Sequence, residues 1–439
     1  MKLGTLAASL ALILPVLSGC FEDDTLNPPA APPIPSGGPM FQTYVSMGNS
    51  ITAGFQSAGI NDSTQARSYA VLLAQAMGTQ FVYPSLNMPG CPPPFRTNTV
   101  ETRVTPPGFP ASSGSSCYLR ANNVTPNNVA VPGARAQDLL TNFGVPRSNS
   151  NTLTLLFLGG RTQLQAMEDQ DPSFVSLWIG NNDVLGSLTA RPDTSDPTAD
   201  GNPGDPALVT SQAEFQAQYT QLLDAIEAEG AQAVLISVAD VSVIPYASRG
   251  SVYWCIKNQP ACGTFPAAFP PTLSVANNCA PAVTGIPGAQ GDSTLVPWPT
   301  GLPKLDSALQ GIPTTLDCTE DSVVVLPAEY ANLRTAVAGY NQFIQAEASA
   351  RGFAYFDVNP TLLANVITGV IPAFPDPSQL ADSLITFGPL FTLDGVHPSA
   401  LAHQLIADSV ASAINQKYAT TLPVPVCGAV SCPAPSPRR

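Results

Sequence analysis

Histidine and charge are both scarce in this sequence. Its 439 residues include only two histidines, and Asp, Glu, Lys and Arg together make up 11% of the chain. The 31 acidic residues outnumber the 17 basic ones, the formal net charge is −14, and no stretch concentrates Lys or Arg. Nucleic-acid binding needs basic groups that displace the counterions of phosphates, so nucleic acid is not an expected partner.

Proline, glycine and apolar residues are abundant instead. The chain has 46 prolines and 33 glycines, and 44% of its residues are hydrophobic. A chain of this length and apolar content can bury a full core, either as one large domain or as two smaller ones. The mixture of few charges with many Pro and Gly residues suits a loop-rich extracytoplasmic protein better than a cytoplasmic one.

Residues 1–20 have the pattern of a targeting segment. Lys2 is its charged start, residues 3–16 are an apolar run too short to span a membrane, and the end is Leu17-Ser-Gly-Cys20. This ending resembles the bacterial lipobox, in which the cysteine is acylated and becomes the mature N-terminus. The alternative is an ordinary secretory signal whose cleavage site happens to hold a cysteine. We expect lipidation at Cys20 and a membrane as partner through that anchor.

Residues 21–40 are rich in Pro, Ala and Gly and predict a flexible tether between the lipid and the domain. Phe21, rather than Asp, follows the cysteine, which resembles lipoproteins sent to the outer membrane. The expected location is therefore the outer membrane or cell surface, with a periplasm-facing orientation left open.

Eight cysteines remain once Cys20 is set aside. An even number in an exported chain predicts up to four disulfides. Their spacing suggests one bridge across the Pro- and Ser-rich loop, one in the tail and two among the middle four, and a zinc site competes poorly because histidine is so rare. The candidates are Cys91 with Cys117, Cys427 with Cys432, and Cys255, Cys262, Cys279 and Cys318.

Short apolar strands alternate with amphipathic helices along the chain, which predicts a mostly parallel sheet with helices on both faces. We predict one three-layer α/β/α domain over residues 41–420. Long insertions at about 86–125 and an irregular one at about 245–325 interrupt it, and a Cys- and Pro-rich tail covers 421–439. The expected strands are 44–47, 81–83, 127–131, 173–180, 233–238 and 353–357. The expected helices are 64–77, 160–169, 207–229, 327–350 and 399–416, with a short one through 138–140.

Ser50 follows the first predicted strand in a Gly-x-Ser turn, a geometry that can expose a hydroxyl at a sheet edge. A serine nucleophile needs an imidazole base and a carboxylate that orients it, and Asp394 precedes His397 by three residues. The alternatives are an ordinary turn at Ser50 and a solvated loop at His397. His403, the second histidine, borders the apolar stripe of the last helix and is expected to be structural.

Four blocks in order then resemble the motifs of the SGNH (GDSL-type) hydrolases. They are Gly48-Asn-Ser-Ile, Gly133, Gly180-Asn-Asn-Asp183 and Asp394-Gly-Val-His397. Asn49 and Ile51 depart from the usual Asp and Leu. The resemblance implies acyl transfer, with Ser50 as nucleophile, His397 as base and Asp394 as its orienting acid. It also assigns the oxyanion hole to the backbone of Ser50 and Gly133 and the side chain of Asn182.

The predicted function is therefore that of a serine esterase or lipase on a bacterial envelope. Its expected partner is an ester substrate, either an acylated carbohydrate or a lipid, and neither a metal nor an organic cofactor is implied. The competing hypothesis is a non-catalytic surface lipoprotein of the same fold that binds a glycan or a protein. The oligomeric state does not follow from the sequence.

Overall fold

The fold is described from a computed structural model of the chain. It describes residues 36–98, 101–105, 117, 119, 125–192, 201–263, 268–375 and 385–426, which belong to one compact unit, Pro35–Arg439. The signal segment with Cys20, nearly all of the predicted tether, and the proposed Cys427–Cys432 bridge lie outside the described residues.

Regular elements are distributed along the whole described chain. The strands are β1 (Tyr44–Gly48), β2 (Phe174–Trp178), β3 (Gln232–Ile236), β4 (Ala247–Arg249), β5 (Leu273–Val275), β6 (Leu295–Pro297), β7 (Thr314–Leu316) and β8 (Ala354–Phe356). The α-helices are α1 (Ser50–Ala53), α2 (Asp62–Gln65), α3 (Tyr69–Met77), α4 (Thr152–Leu158), α5 (Gln163–Glu168), α6 (Asn181–Thr189), α7 (Gln212–Ala228), α8 (Gly250–Lys257), α9 (Trp298–Leu309), α10 (Pro327–Arg351), α11 (Asn359–Ile367) and α12 (Ala400–Tyr418). Short 3-10 helices lie at Pro39–Phe41, Ala136–Leu139, Pro206–Leu208, Val241–Val243, Asn277–Cys279, Ala282–Thr284 and Gly291–Ser293.

The central sheet is parallel and has the order β1-β2-β3-β8. A further segment, residues 127–131, runs beside β1 and bonds to it through backbone groups of Ser46 and Gly48, although it is too irregular to form a full strand. The predicted strand at 81–83 does not form. Instead, the carbonyl of Val82 accepts hydrogen bonds from the backbone N–H groups of Asn127 and Asn128, so this segment pairs with a loop rather than with the sheet.

Helices cover both faces of the sheet, because side chains alternate along buried strands. Val45 and Val175 belong to the same apolar cluster as α7 and α10, whereas Tyr44 and Phe174 belong to a second cluster with α3 and α12. This arrangement confirms the predicted three-layer α/β fold. The carboxyl ends of the parallel strands consequently meet along one edge, where open α/β sheets place their sites.

Apolar residues recur at spacings of three and four positions in α7 and α10, which predicts a buried stripe along each helix. Ser211 caps α7 in a capping box with Glu214, and Pro327 occupies the first turn of α10. The buried residues of these two helices include every predicted stripe position, namely Phe215, Tyr219, Leu222, Ile226, Tyr330, Leu333, Val337, Tyr340 and Ile344.

The spacing of Ala402, Ile406, Val410 and Ala413 predicts the buried stripe of α12, and this prediction was partly wrong. Ala402 and Val410 are buried, but Ile406 and Ala413 are only half-buried, and Ala407 is buried in the place of Ile406. The shift by one residue leaves Ile406 beside a cavity described below.

The insertion at 245–325 is more regular than predicted. β4 pairs antiparallel with β6, β5 pairs parallel with β7, and α8 and α9 pack with them around a separate apolar cluster. Its strands have only three residues each, which is too short for a detectable period of two. Disulfides Cys255–Cys262 and Cys279–Cys318 confirm two bridges among the middle four cysteines. Cys91–Cys117 confirms the bridge predicted for the 86–125 insertion.

Among the described residues, no helix combines the length and apolar character needed to cross a membrane.

Candidate active site

Ser50 lies in a tight turn between β1 and α1. A Cβ atom on Gly48 would lie 2.5 Å from the Thr52 hydroxyl oxygen and 2.6 Å from the Trp178 carbonyl oxygen, so only glycine fits there. The side-chain amide of Gln163, from α5, both donates to and accepts from the Gly48 backbone, at 2.9 and 3.0 Å. These contacts fix the point at which the chain leaves the sheet.

Asn49 caps the helix that carries Ser50. Its side-chain oxygen accepts a hydrogen bond from the Ile51 N–H at 3.0 Å. Asn and Asp are both good N-cap residues because each offers a short side-chain acceptor. Replacement of the usual Asp by Asn49 therefore keeps the local structure, and Ser50 remains buried in the first turn of α1.

Ser50, His397 and Asp394 form one hydrogen-bonded chain. The Ser50 Oγ lies 2.9 Å from His397 Nε2, and His397 Nδ1 lies 2.8 Å from Asp394 Oδ2. The ring of Phe55 packs against the imidazole at 4.9 Å between centroids. The fold thus brings together three residues separated by up to 347 positions, in the geometry of a hydroxyl activated by a base and an orienting acid.

Asp394 is held as a carboxylate by donors from two loops. Its Oδ1 accepts from the backbone N–H groups of Val396 and His397, both at 2.9 Å, and from the Thr392 hydroxyl at 3.0 Å. Burial acting alone would raise the pKa of the Asp394 carboxyl. The electrostatic interaction with His397, with the hydrogen bonds from His397 and Val396, outweighs burial and holds that pKa well below its usual range.

The second loop was not foreseen from the sequence. Ser57 and Ala58 both have φ of +52°, which is uncommon for residues with a side chain. Their N–H groups donate to Thr392 Oγ1 at 2.9 Å and to Asp394 Oδ2 at 2.6 Å. Strained backbone of this kind persists only where the surroundings impose it. The run of small residues Ser57, Ala58 and Gly59 is the sequence feature that could have indicated this tight loop.

Gly133 and Asn182 come from two further strand ends. The φ of Gly133 is +87°, a region that favours glycine. Asn182 lies in the first turn of α6, and its Nδ2 donates to the carbonyl of Ala134 at 2.9 Å. An amide has a second N–H to offer. Within the described ranges, no acceptor takes the backbone N–H of Ser50 or of Gly133.

Asp183 supports this arrangement from below. Its Oδ2 accepts from the Ala136 N–H at 3.0 Å, which ties α6 to the loop that carries Gly133. Burial raises the pKa of Asp183 to about 6, although hydrogen bonds from Thr210 and Ala136 act in the opposite direction. Neither Asn182 nor Asp183 caps α6, which begins at Asn181. Their places after a strand can be interpreted as a helix cap for Asn182 and as a cap or a support for Asp183, and of these only the support for Asp183 agrees with the contacts.

A cavity of about 120 Å³ that opens to solvent adjoins the Ser50 and His397 side chains. Ser50, Asn182 and His397 line it, whereas Gly133 does not. Trp178 also contributes to the wall, while Tyr69 lies in the core. No Asp, Glu, Lys or Arg lines the cavity, so His397 is its one ionisable group among the residues described.

His403 is buried in the core, as predicted. Its Nδ1 accepts from the Tyr69 N–H at 3.2 Å, and its Nε2 has no partner within the described part of the chain. Burial, with a smaller contribution from the nearby positive charge of His397, lowers the pKa of His403 to about 3. His403 is therefore neutral and structural, and it takes no part in the hydrogen-bonded chain of Ser50.

A family model described as GDSL-like Lipase/Acylhydrolase matches residues 44–410. The chain belongs to this family. The predicted family is thus confirmed, and the chain is a carboxylic ester hydrolase. The match spans all four motif blocks, from the Ser50 turn to the His397 loop. A search of curated protein sequences found no match.

The chain is similar in fold to several solved structures of bacterial proteins. They include a catalytic mutant of an acetylxylan esterase from Geobacillus stearothermophilus (11% identity, TM-score 0.36, 85% of this chain and 94% of that one). An extracellular lipase from Streptomyces rimosus has 15% identity and a TM-score of 0.33, over 86% and 99% of the two chains. A putative acylhydrolase from Bacteroides fragilis has 10% identity and a TM-score of 0.33, over 88% and 90%. Likeness this low carries no argument about the substrate of this esterase.

We predict that replacement of His403 by Asn makes the free energy of unfolding of the esterase fall less steeply as the pH is lowered. The unfolded chain binds a proton at His403 below about pH 6.5, whereas the folded chain does so only near pH 3. Between these values the unfolded state holds the extra proton, so acidification favours unfolding by up to about 1.4 kcal/mol per pH unit. The stability that the neutral, buried His403 contributes is fully present above about pH 6.5 and is lost as the pH falls toward 3.

The measurement is urea unfolding at several pH values from 7 to 4 for the wild type and His403→Asn. Asn retains an acceptor but does not titrate. The free energy of unfolding of the wild type should fall more steeply with acidification than that of the variant. Parallel curves would mean that His403 is protonated in the folded state or exposed.

Proposed function

We propose that this esterase works through an acyl-enzyme formed on Ser50. The observation that carries the proposal is the continuous hydrogen-bonded chain from Ser50 Oγ through His397 to Asp394, at 2.9 and 2.8 Å. His397 Nε2 removes the hydroxyl proton as Oγ bonds to the ester carbonyl carbon. The imidazolium then gives that proton to the alcohol oxygen as its bond to carbon breaks, and the alcohol leaves.

Water completes the cycle. It loses a proton to His397 as its oxygen bonds to the acyl carbon, and the proton returns to Ser50 as the acid is released. Asp394 keeps its negative charge throughout, and its position opposite Nδ1 holds the tautomer that leaves Nε2 free to accept. The low pKa of Asp394 keeps it ionised under conditions that protonate an ordinary Asp.

Three N–H donors stabilise the negative charge that develops on the carbonyl oxygen. The backbone N–H groups of Ser50 and Gly133 lack acceptors among the described residues, and one N–H of Asn182 is committed to Ala134. Donors placed before the reaction need no reorganisation when the charge appears. The bond to Ala134 fixes the amide of Asn182 for that role.

We further propose that the chain is held on the bacterial envelope by a lipid on Cys20. The support is sequence pattern: a charged start, an apolar run and a Leu-Ser-Gly-Cys end. The Pro-rich residues 21–40 would then separate the esterase domain from the membrane surface. The outer membrane is the proposed location.

Replacement of Ser50 by Ala should abolish ester turnover, with a loss of at least about 10⁴-fold in kcat. Asp394→Asn should reduce kcat by about 10⁴-fold, because the wrong tautomer of His397 then faces Ser50. The assay is hydrolysis of p-nitrophenyl esters from acetate to palmitate, with circular dichroism to check folding. Equal turnover in the wild type and Ser50→Ala would remove Ser50 as nucleophile. No turnover by the wild type would favour the binding-protein alternative.

Asn182→Ala should reduce kcat by about 10²- to 10³-fold and leave KM nearly unchanged, because the lost donor acts on the transition state. Asn365→Ala provides a control, since Asn365 also lines the cavity but its amide bonds to its own helix at Thr361. A rise in KM at constant kcat for Asn182→Ala would assign that side chain to ground-state binding instead.

Cells that express the wild type and are fed an alkyne analogue of palmitate should label the protein, whereas Cys20→Ser should not take up the label. Ser50→Ala is the control, because it removes any label carried as an acyl-enzyme but leaves the lipid on Cys20. A mature chain whose Cys20 carries no acyl group would contradict the anchor.

A further inference from the structure

The cavity beside Ser50 has an apolar wall that extends well beyond the reacting atoms. Two helices form much of this wall. Leu362 belongs to α11, and Leu405 and Ile406 belong to α12. Ile371, Leu390 and Ala402 close one side, where they form a small apolar cluster of their own. The wall on α12 from Ala402 to Ser409 spans about two helical turns, roughly 10 Å.

Apart from the Thr361 hydroxyl, the polar side chains that line the cavity lie near Ser50 or are already hydrogen-bonded. Asn49 precedes Ser50 directly, and Asn181 and Asn182 begin α6 at the end of the neighbouring strand β2. Farther along, Asn365 donates to the Thr361 carbonyl at 2.9 Å, and Ser409 donates to the Leu405 carbonyl at 2.8 Å. Recognition of a sugar needs side chains that are free to hydrogen-bond its hydroxyls. The distal wall offers instead a surface suited to hydrocarbon.

α11 differs from the other long helices of the domain. None of its residues is buried, and from Val358 to Pro375 the sequence contains no Asp, Glu, Lys or Arg. A surface helix without charge is costly in water unless an apolar ligand or surface covers it. Its inner side, at Leu362, lines the cavity that Ser50 and His397 also line. The apolar wall is therefore continuous with the reactive atoms.

We propose that this cavity binds the acyl chain of the substrate and that the preferred substrates are esters of octanoate or longer acids, such as lipid esters, rather than acetyl esters of carbohydrate. The proposal rests on the Ser50 mechanism proposed above. The acyl group stays bonded to Ser50 through both chemical steps, whereas the alcohol leaves after the first. Apolar contacts along the acyl chain can therefore stabilise the transition states of both steps.

The test compares two matched leucines of α12. Leu405 lines the cavity and is 45% exposed; Leu401, one turn earlier, is 47% exposed and does not line it. Leu405→Gln and Leu401→Gln make the same chemical change at similar exposure in the same helix. The full mature chain is assayed in one fixed detergent with p-nitrophenyl acetate, butanoate, octanoate, dodecanoate and palmitate. At each acyl length, the kcat/KM of the variant is divided by that of the wild type. This ratio cancels the effect of ester partition into micelles, which is the same for both proteins.

For the wild type, kcat/KM should rise by about threefold per added methylene up to octanoate or beyond. Leu405→Gln should lower kcat/KM for octanoate and dodecanoate by about 10-fold more than for acetate. Leu401→Gln should show no such dependence on length. Hexyl and octyl acetate test whether the cavity binds the alcohol part of the ester instead of the acyl part. If kcat/KM rose with the length of the alcohol and Leu405→Gln removed that rise, the alcohol would lie in the cavity and the proposal would be overturned. Acetate as the best substrate, with equal profiles for both variants, would also overturn it.

A binding measurement keeps this proposal separate from the Ser50 mechanism. Ser50→Ala should bind the fluorescent fatty acid cis-parinaric acid, and Leu405→Gln in that background should weaken binding by about 10-fold relative to Leu401→Gln. If the wild type bound parinaric acid but showed no ester turnover, the acyl-chain cavity would be supported and the Ser50 mechanism would be rejected. If turnover depended on Ser50 but no parinaric acid bound, the Ser50 mechanism would be supported and the acyl-chain cavity would be rejected.

Discussion

The Asp394 carboxylate is the constraint on which the geometry of the site depends. It accepts five hydrogen bonds that come from two distant parts of the chain. The donors are the backbone N–H groups of Ala58, Val396 and His397, the Thr392 hydroxyl and the His397 ring. A buried charge is stable only when it is paired and hydrogen-bonded. The hydrogen bonds that satisfy the Asp394 carboxylate therefore also hold the loop after α1 against the loop that carries His397.

Ser50 is positioned by steric exclusion rather than by charge. Gly48 lies so close to Trp178 and Thr52 that no side chain fits, and Gln163 holds its backbone from the opposite side. Ser50 is therefore fixed relative to the sheet, and His397 is fixed relative to Asp394. The 2.9 Å contact between Ser50 and His397 results from these two attachments, which the Ala58–Asp394 hydrogen bond links. Sites held by such supporting contacts can keep their geometry during catalysis.

The apolar wall of the cavity is built from other elements than the Ser50 turn. The reactive atoms lie at the sheet edge, whereas the apolar wall is built from α11 and α12, near the C-terminal end of the domain. No Asp, Glu, Lys or Arg belongs to the described wall of the cavity, and this low polarity strengthens the interaction of His397 with Asp394. The disulfide-linked insertion of residues 245–325 has its own apolar cluster and adds a separate packed layer.

The sequence by itself determined the order of the motif blocks, the layered α/β class, the long helices and the candidate residues Ser50, Asp394 and His397. These features depend on local periodicity, on the residue types of turns and on the rarity of histidine, all of which can be observed in a single sequence. The supporting loop at Ser57 and Ala58, the pairing of Cys279 with Cys318 and the apolar wall of the cavity depended on the tertiary structure. Each arises from contacts between residues far apart in sequence, whose closeness follows only from how the layers pack.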